Sequence, residues 1–239
     1  MTASLELVVA HFQEDLRWLR RVPKGLAISV YHKGGRALPG AVVLPNVGRE
    51  AHTYLHHIVS RYDSLAEVTV FAQGHPFDHV HDFHPFLRRL AAGEEEVEDF
   101  RWLGFVLDWD DSRGERLFQG WSKNPERRPL PMALFWERLG EGPRPEVFVF
   151  YPGAHFAVTR QQALARPRHL YERALTLSAE LPDAAHCFER CWDHLFGVAG
   201  APAGIAISDL PLFKKPIRRL REAPAAAHPL PRLRRSGGP

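Results

Sequence analysis

Residues 5–31, LELVVAHFQEDLRWLRRVPKGLAISVY, decide the fold class. The first eight are almost continuously apolar, which is typical of a strand buried on both faces. Two acids follow, as the first turn of a helix prefers, and Pro23 and Gly25 end the predicted helix before a second strand at residues 26–31. Strand, helix and strand in so short a span predict a βαβ-like unit and a parallel sheet.

A second helix and a third buried strand follow this unit. Asn46 is the predicted cap of a helix that runs to about Tyr62, because its apolar residues recur at the helical period. Residues 68–71, VTVF, form the strand, and they lead into Gln73, Gly74 and the segment HPFDHVHDFHPF at residues 75–86. Ligands of open α/β sheets gather beyond the carboxyl ends of strands, so we expect this segment to lie near chemistry.

The rest of the chain completes an α/β pattern. We expect a strand at 101–111, a long loop at 112–145 containing a short helix at 133–139, strands at 147–151 and 154–159, and helices at 161–165, 167–179 and 183–196. The prediction is a single α/β domain over residues 1–200, with a mostly parallel central sheet flanked by helices. Residues 201–239 form a Pro/Arg-rich extension that we expect to be poorly ordered.

Composition and charge restrict the function classes. Hydrophobic residues make up 45% and charged residues 25% of the 239, which excludes disordered, collagen-like and membrane-spanning proteins. The net charge of +3 belongs to the tail: from Lys214 onward there are eight Lys/Arg and one acid, which leaves 23 Lys/Arg and 27 Asp/Glu before it. A slightly acidic body offers no broad basic face, so nucleic acid is not a predicted partner. No secretory signal or long apolar run is found, so we expect a cytoplasmic protein without a transmembrane segment.

The histidine-rich segment is the first candidate site. It places His75, Asp78, His79 and His81 close together in sequence, with Asp82 and His84 beyond them. Imidazoles suit Zn²⁺, Ni²⁺ or Fe²⁺ and carboxylates suit Mg²⁺ or Mn²⁺, so the first four are candidate metal ligands. The alternative is that some of these histidines cap helices or bind backbone while the others are exposed, with at least one of His75, Asp78 and His79 contacting substrate.

Three other features carry possible chemistry. The run Asp108–Asp111 can chelate a divalent cation with a diphosphate, or be an Asp-rich turn without metal. Arg49, in the first turn of its helix, can bind phosphate or form a surface salt bridge. Glu189 can be a general base with a raised pKa, or the partner of Arg190 in an ion pair. No P-loop, G-x-G-x-x-G or G-x-S-x-G motif is found.

Four segments together resemble a known family. They are LVVAHFQEDLRWL, VYHKGG, LPNVGREAHTYLHHIVSRYDSLAEVTVFAQGHPFDH and GAHFAVTRQQALARPRHLYERAL, and the resemblance covers roughly residues 5–197. The family is an uncharacterised domain-of-unknown-function family of fungi and bacteria, and it is similar to GT-A glycosyltransferases, which transfer sugars from nucleotide-sugar donors. In this chain the motif after VTVF is Q-G-H-P-F-D-H, where those enzymes carry D-x-D.

The resemblance implies roles for individual residues. Glu189, His155 and Asp78 are the implied catalytic residues, with Glu189 as the base that deprotonates the acceptor hydroxyl. Gly153, Ala154 and His155 would line the acceptor side. The substrate- and donor-binding set also includes Glu14, Asp15, Lys33, Asn46, Arg49, Gln73, Gly74, His75 and Arg160.

The predicted function is therefore a glycosyltransferase-like enzyme with a GT-A-like, Rossmann-like nucleotide-binding half. Its partners would be a nucleotide-sugar donor and a hydroxyl acceptor, and its cofactor a divalent cation, Mn²⁺ or Mg²⁺, or Zn²⁺ if the histidine cluster is the site. Two alternatives stay open: a metal-dependent hydrolase or oxygenase that uses His75, His79 and His81, and a non-catalytic nucleotide- or glycan-binding domain.

Overall fold

The computed structural model describes residues 4–35 and 38–199. The central sheet has six strands in the order β3-β2-β1-β4-β8-β5. They are β1 (Leu5–His11), β2 (Leu26–His32), β3 (Val42–Val43), β4 (Val68–Gln73), β5 (Phe100–Trp102) and β8 (Phe156–Thr159). Strands β1 to β4 are mutually parallel and β8 is antiparallel to both of its neighbours. The described residues thus form a single α/β domain with a mostly parallel central sheet, as predicted.

Helices cover both faces of this sheet. They are α1 (Arg49–Arg61), α2 (Phe83–Ala92), α3 (Met132–Leu139), α4 (Arg160–Leu164), α5 (Arg168–Glu180) and α6 (Ala184–Leu195). Side chains of α1, α3, α5 and α6 share one core with Val8, Phe71 and Phe156 of the sheet. The helix α2 packs in a second core with Leu7 and Val9. Alternate residues of β1 therefore face opposite cores, which explains why its sequence is apolar throughout.

Three predicted elements differ from the observed ones. The helix expected between β1 and β2 is only a five-residue 3₁₀ helix, Arg17–Arg21. Asn46 is not the cap of α1; Gly48 holds that position with a left-handed φ of 59°. The strand expected at 101–111 is divided: residues 100–102 belong to the central sheet, and β6 (Asp108–Asp111) pairs with β7 (Val147–Phe150) in a separate two-stranded sheet.

The proposed C-terminal extension, residues 201–239, lies outside the described residues. Across the described part of the chain, every helix is too short or too polar to cross a membrane.

Candidate functional site

A cleft lies where the chain reverses its direction of travel across the sheet. From β1 the chain moves outward to β2 and β3, and it then returns to place β4 on the other side of β1. Side chains and backbone beyond the carboxyl ends of β1 and β4 leave a cavity of about 370 Å³. Such a reversal point is the usual ligand-binding position of open parallel sheets. The cleft is lined by Ala10, His11, Phe12, Glu14, Lys33, Asn46, Arg49, Glu50 and Gln73.

Glu14 is held at the edge of the cleft by the backbone. Its Oε2 accepts hydrogen bonds from the N–H groups of Phe12 at 2.8 Å and Gln13 at 3.1 Å. A Cβ on Gly74 would lie 2.5 Å from the same oxygen, so only glycine leaves room for the carboxylate there. Trp18 Nε1 fixes Gly74 from the other side by donating to its carbonyl at 2.8 Å.

Lys33 joins the end of β2 to the turn before α1. Its Nζ donates to the carbonyl oxygens of Val47 at 2.6 Å and Arg49 at 2.5 Å. This turn is strained, because Arg49 has a left-handed φ of 48° directly after Gly48. Burial lowers the pKa of Lys33 to about 8, although the charge of Glu50 opposes the shift. The ammonium therefore stabilises a turn that presents two charged side chains to the cleft.

Those two side chains differ in exposure. Arg49 is 54% exposed, and its Nη1 lies 3.4 Å from Nε2 of His186 on α6. Glu50 is only 10% exposed, and its Oε2 lies 3.6 Å from Nε of Arg49. Burial raises the pKa of Glu50; Arg49 opposes this shift and the nearby Glu189 adds to it. The start of α1 thus supplies one half-exposed cation and one nearly buried acid.

Gln73 ends β4, and His155 lies beside it directly before β8. The backbone N–H of Gln73 lies 3.4 Å from Nδ1 of His155. His155 is completely buried, and burial, aided by His79, lowers its pKa to about 3. A histidine that stays neutral at physiological pH and does not line the cavity is poorly suited to the catalytic role that the resemblance implies.

Glu189 is held beside the cleft rather than within its lining. Its Oε1 accepts from the N–H of Gly153 at 2.6 Å, and its Oε2 lies 3.5 Å from Nη1 of Arg190 and 3.8 Å from Nδ1 of His186. Burial alone would raise the pKa of Glu189, but these three partners lower it to about 2. The raised pKa expected from the sequence is therefore wrong, and the alternative Glu–Arg ion pair is present.

Gly153 and Ala154 form the turn that Glu189 holds. Both have positive φ values, 106° and 54°, and a Cβ on Gly153 would lie 2.5 Å from Cγ of His79. The turn precedes β8 at the end of the sheet that carries Gln73. It is thus placed next to the cleft, without lining it.

The candidate ligands of the histidine-rich segment point to different neighbours. Asp78 ends a 3₁₀ turn and is exposed, His75 packs its ring on Phe77, and His81 stacks on Phe105 at 3.8 Å between ring centroids. His79 turns instead toward His155, 5.9 Å away. Within residues 4–35 and 38–199, no three His, Cys, Asp or Glu side chains are grouped so that they could hold an ion.

In the candidate acidic site at Asp108–Asp111, two carboxylates are paired with arginines. Asp110 and Arg190 form a buried ion pair at 2.7 Å, and Asp108 pairs with Arg116 at 2.9 Å. Asp111 accepts backbone N–H groups from the turn that follows it. Asp110 thus joins the small sheet to α6, and Asp108 and Asp111 hold the turn that follows β6, so the Asp-rich turn without metal is the interpretation that the structure favours.

Two predicted binding residues lie away from the cleft. Asp15 is exposed and paired with Arg17 at 2.5 Å, because the short 3₁₀ segment turns it outward. Arg160 follows β8, which runs antiparallel to β4, and so it lies at the opposite edge of the sheet near the backbone of Asp63.

Five of the nine residues lining the cleft were predicted from the sequence, and four were not: Ala10, Phe12 and the polar residues His11 and Glu50. Glu14, Lys33, Asn46, Arg49 and Gln73 all line it. Glu50 and His11 were not candidates, although each had a signal: Glu50 directly follows Arg49, and His11 is the polar residue that ends β1. An acid in the first helical turn has an ordinary explanation in the helix dipole, so this position did not single out Glu50.

Comparison with known proteins gives a family and distant structural likenesses. No curated protein matches the chain. A solved structure of CMP:2-keto-3-deoxy-manno-octonic acid synthetase complexed with CTP is 11% identical, with 92% of this chain and 98% of that chain covered and a TM-score of 0.30. Residues 7–203 match the family described as protein of unknown function (DUF3431), which is most of the chain, and the protein therefore belongs to that family.

Proposed function

We propose that this chain is a glycosyltransferase-like enzyme that binds a nucleotide-sugar donor in the cleft and transfers the sugar to a hydroxyl group. The observation that carries the proposal is the position of two cations, Lys33 and Arg49, in a cleft beyond the carboxyl ends of parallel strands. A nucleotide sugar brings a diphosphate, whose oxygens accept hydrogen bonds from ammonium and guanidinium groups.

The contacts of Lys33 leave it able to bind such an anion. An ammonium group has three N–H donors, and two of them are used by the carbonyls of Val47 and Arg49. The third is available to a phosphate oxygen in the cleft. Arg49 can approach the same diphosphate because its side chain is half exposed and belongs to the first turn of α1.

The remaining lining residues suit the neutral parts of the donor. Glu14, Asn46 and Gln73 offer carboxylate and amide groups that can bind ribose and nucleobase edges. The Gly153–Ala154 turn, beside Gln73, would border the acceptor.

The described residues do not fit a cation held by the protein alone. Glu14 already accepts two backbone N–H groups, and no group of three ligating side chains is present among the described residues. No step of the proposal therefore depends on a metal, and Mn²⁺ and Mg²⁺ enter the test as variables. The hydrolase or oxygenase alternative loses its support, because His75 and His81 turn to different aromatic neighbours.

A thermal-shift screen of the full chain against nucleotide sugars, with and without Mn²⁺ or Mg²⁺, tests donor binding. A donor at about 100 times its Kd should raise the Tm by about 5–10 °C for a domain of this size. Arg49→Met should remove most of this shift. Arg160→Met is the matched control, since it removes the same charge at the opposite edge of the sheet and should keep the shift.

Release of nucleotide from the bound donor then separates the remaining possibilities. Binding with release supports a transferase, because donor turnover is part of that reaction. Binding without release of nucleotide, over all acceptors tried, would indicate a non-catalytic binding domain. Equal loss of the shift in both arginine variants would contradict the placement of the donor.

A further inference from the structure

Transfer of a sugar to a hydroxyl group needs a group that removes the hydroxyl proton. Three carboxylates lie in or beside the cleft: Glu14, Glu50 and Glu189. They differ in the contacts that each one already makes, and those contacts decide which of them can accept a proton. The argument rests on the function proposed above.

Two of these three carboxylates already accept hydrogen bonds from backbone N–H groups. Glu14 accepts two N–H groups through Oε2 and fills the space left by Gly74. Glu189 accepts the N–H of Gly153 at 2.6 Å and faces Arg190 and His186. These donors and cations lower the pKa of Glu189, which therefore has little tendency to take up a proton.

Glu50 is in a different situation. It lines the cleft from the first turn of α1, whose following residues Ala51, Tyr54 and Leu55 are completely buried, so the backbone that carries it is fixed. Its carboxylate is mostly shielded from solvent, and the cation beside it, Arg49, lies at 3.6 Å, longer than a hydrogen bond. The carboxylate accepts its own backbone N–H and lines the cleft, where a further donor can approach it.

We propose that Glu50 is the catalytic residue that accepts the proton of the acceptor hydroxyl. The hydroxyl oxygen forms a bond to the anomeric carbon of the donor sugar. The bond from that carbon to the diphosphate oxygen breaks, and the nucleotide leaves with the electron pair. The hydroxyl proton moves to a carboxylate oxygen of Glu50 and is later released to water, so that donor and acceptor give glycoside, nucleotide and one proton.

The charges around Glu50 agree with this role. Arg49 on the same helix, Lys33 after β2, Tyr54 beneath it, and Glu189 with His186 on α6 all lie near enough to affect its ionisation or to be affected by it. Burial raises the pKa of Glu50, whereas the pKa of Glu189 is lowered to about 2. A base whose pKa is nearer to the working pH removes a proton more effectively.

The test compares Glu50→Gln with Glu189→Gln in the full chain. We expect Glu50→Gln to lower kcat by about 10²–10⁴-fold and to leave the donor-induced Tm shift intact. Glu50→Ala should recover part of its turnover when formate is added as an external base. A merely structural role would not give that rescue, and Glu137→Gln on the exposed face of α3 controls for the substitution itself.

The outcomes separate this assignment from the function on which it rests. If the wild type releases nucleotide and Glu50→Gln does so at the same rate, Glu50 is not the base but the transferase proposal stands. A loss of kcat in Glu189→Gln that formate rescues in Glu189→Ala would transfer the role to Glu189. A wild type that binds no donor, or turns none over, contradicts both proposals.

Discussion

At the scale of single residues, Glu189 is important for stability. The folded state holds its pKa at about 2, below the ordinary value of 4.5. The ionised carboxylate therefore stabilises the fold at pH values above about 4.5, and this stabilisation is lost as the pH falls toward 2. At pH 7 we expect Glu189→Gln to lower the free energy of unfolding by on the order of 2–3 kcal/mol.

Urea unfolding of Glu189→Gln at pH 7 and at pH 3 measures this difference. The gap between variant and wild type should narrow at pH 3, and Glu137→Gln should show none at either pH. A gap that stays constant with pH would contradict the assignment of the stabilisation to the ionised carboxylate.

Donor affinity should depend on pH through the protonation of Lys33. Burial lowers its pKa from 10.5 to about 8, so in the free protein the ammonium loses its proton as the pH rises through that value. Donor affinity should therefore weaken between pH 7 and pH 9, because the anion binds the protonated form. Lys33→Met should bind donor weakly at both pH values.

The measurement is donor Kd by calorimetry at pH 7 and pH 9. Arg160→Met should retain the wild-type change with pH, as it lies at the opposite sheet edge. A wild-type affinity that is the same at both pH values would show that Lys33 does not contact the anion.

The difference between Glu50 and Glu189 also shows where sequence reasoning reaches its limit. The sequence places Glu50 in the first turn of one predicted helix and Glu189 within another. It does not reveal that Glu189 accepts the N–H of Gly153, 36 positions away, whereas Glu50 accepts its own backbone N–H and has Arg49 at 3.6 Å. The pKa of a carboxylate depends on such partners, so its direction follows only from the folded arrangement.

At the scale of elements, the turn before α1 positions the charged residues of the cleft. Gly48 combines a left-handed φ of 59° with a space in which a Cβ would lie 2.3 Å from the carbonyl oxygen of Ser178. Gly48→Ala must therefore either strain the backbone or displace α5. Gly93, with a φ of 71° and no atom within 4 Å of its Cβ position, is a matched comparison.

We expect Gly93→Ala to cost about 1 kcal/mol from its backbone conformation alone. Gly48→Ala should cost roughly 1–3 kcal/mol more, because of the added overlap, and should weaken donor binding by moving Arg49. Chemical denaturation and the donor thermal shift measure the two effects. Equal costs for both variants would mean that the turn is not held against α5.

Periodic elements were predictable and the irregular ones were not. The stripe Ala51, Tyr54, Leu55 and Ile58 is buried as the helical period of α1 predicts. The prediction of an α-helix after β1 was wrong, because Glu14 and Asp15 bind nearby backbone N–H groups instead of starting a regular α-helix. The strand at 101–111 is divided because the chain leaves the central sheet after Trp102, where Gly104 approaches the ring of Tyr151.

At the scale of the whole molecule, the parallel sheet explains why distant residues meet. Apolar runs predicted strands β1, β2 and β4, and the reversal of strand order brings their carboxyl ends to one cleft. For this reason Lys33 and Gln73, 40 positions apart, line the same cleft. The segments after β1, β2 and β4 that line the cleft could thus be placed from the sequence. The position of the run Asp108–Asp111 could not, because an ion pair that no local pattern shows joins it to α6.

The central claim is that this cleft binds and consumes a nucleotide sugar. Its most direct test is nucleotide release by the full wild-type chain, measured over a panel of nucleotide sugars with simple hydroxyl acceptors and with or without Mn²⁺. We expect that at least one donor is consumed, and that Arg49→Met loses this activity while Arg160→Met keeps it. A chain that consumes none of the donors, or one whose activity survives Arg49→Met unchanged, would contradict this claim.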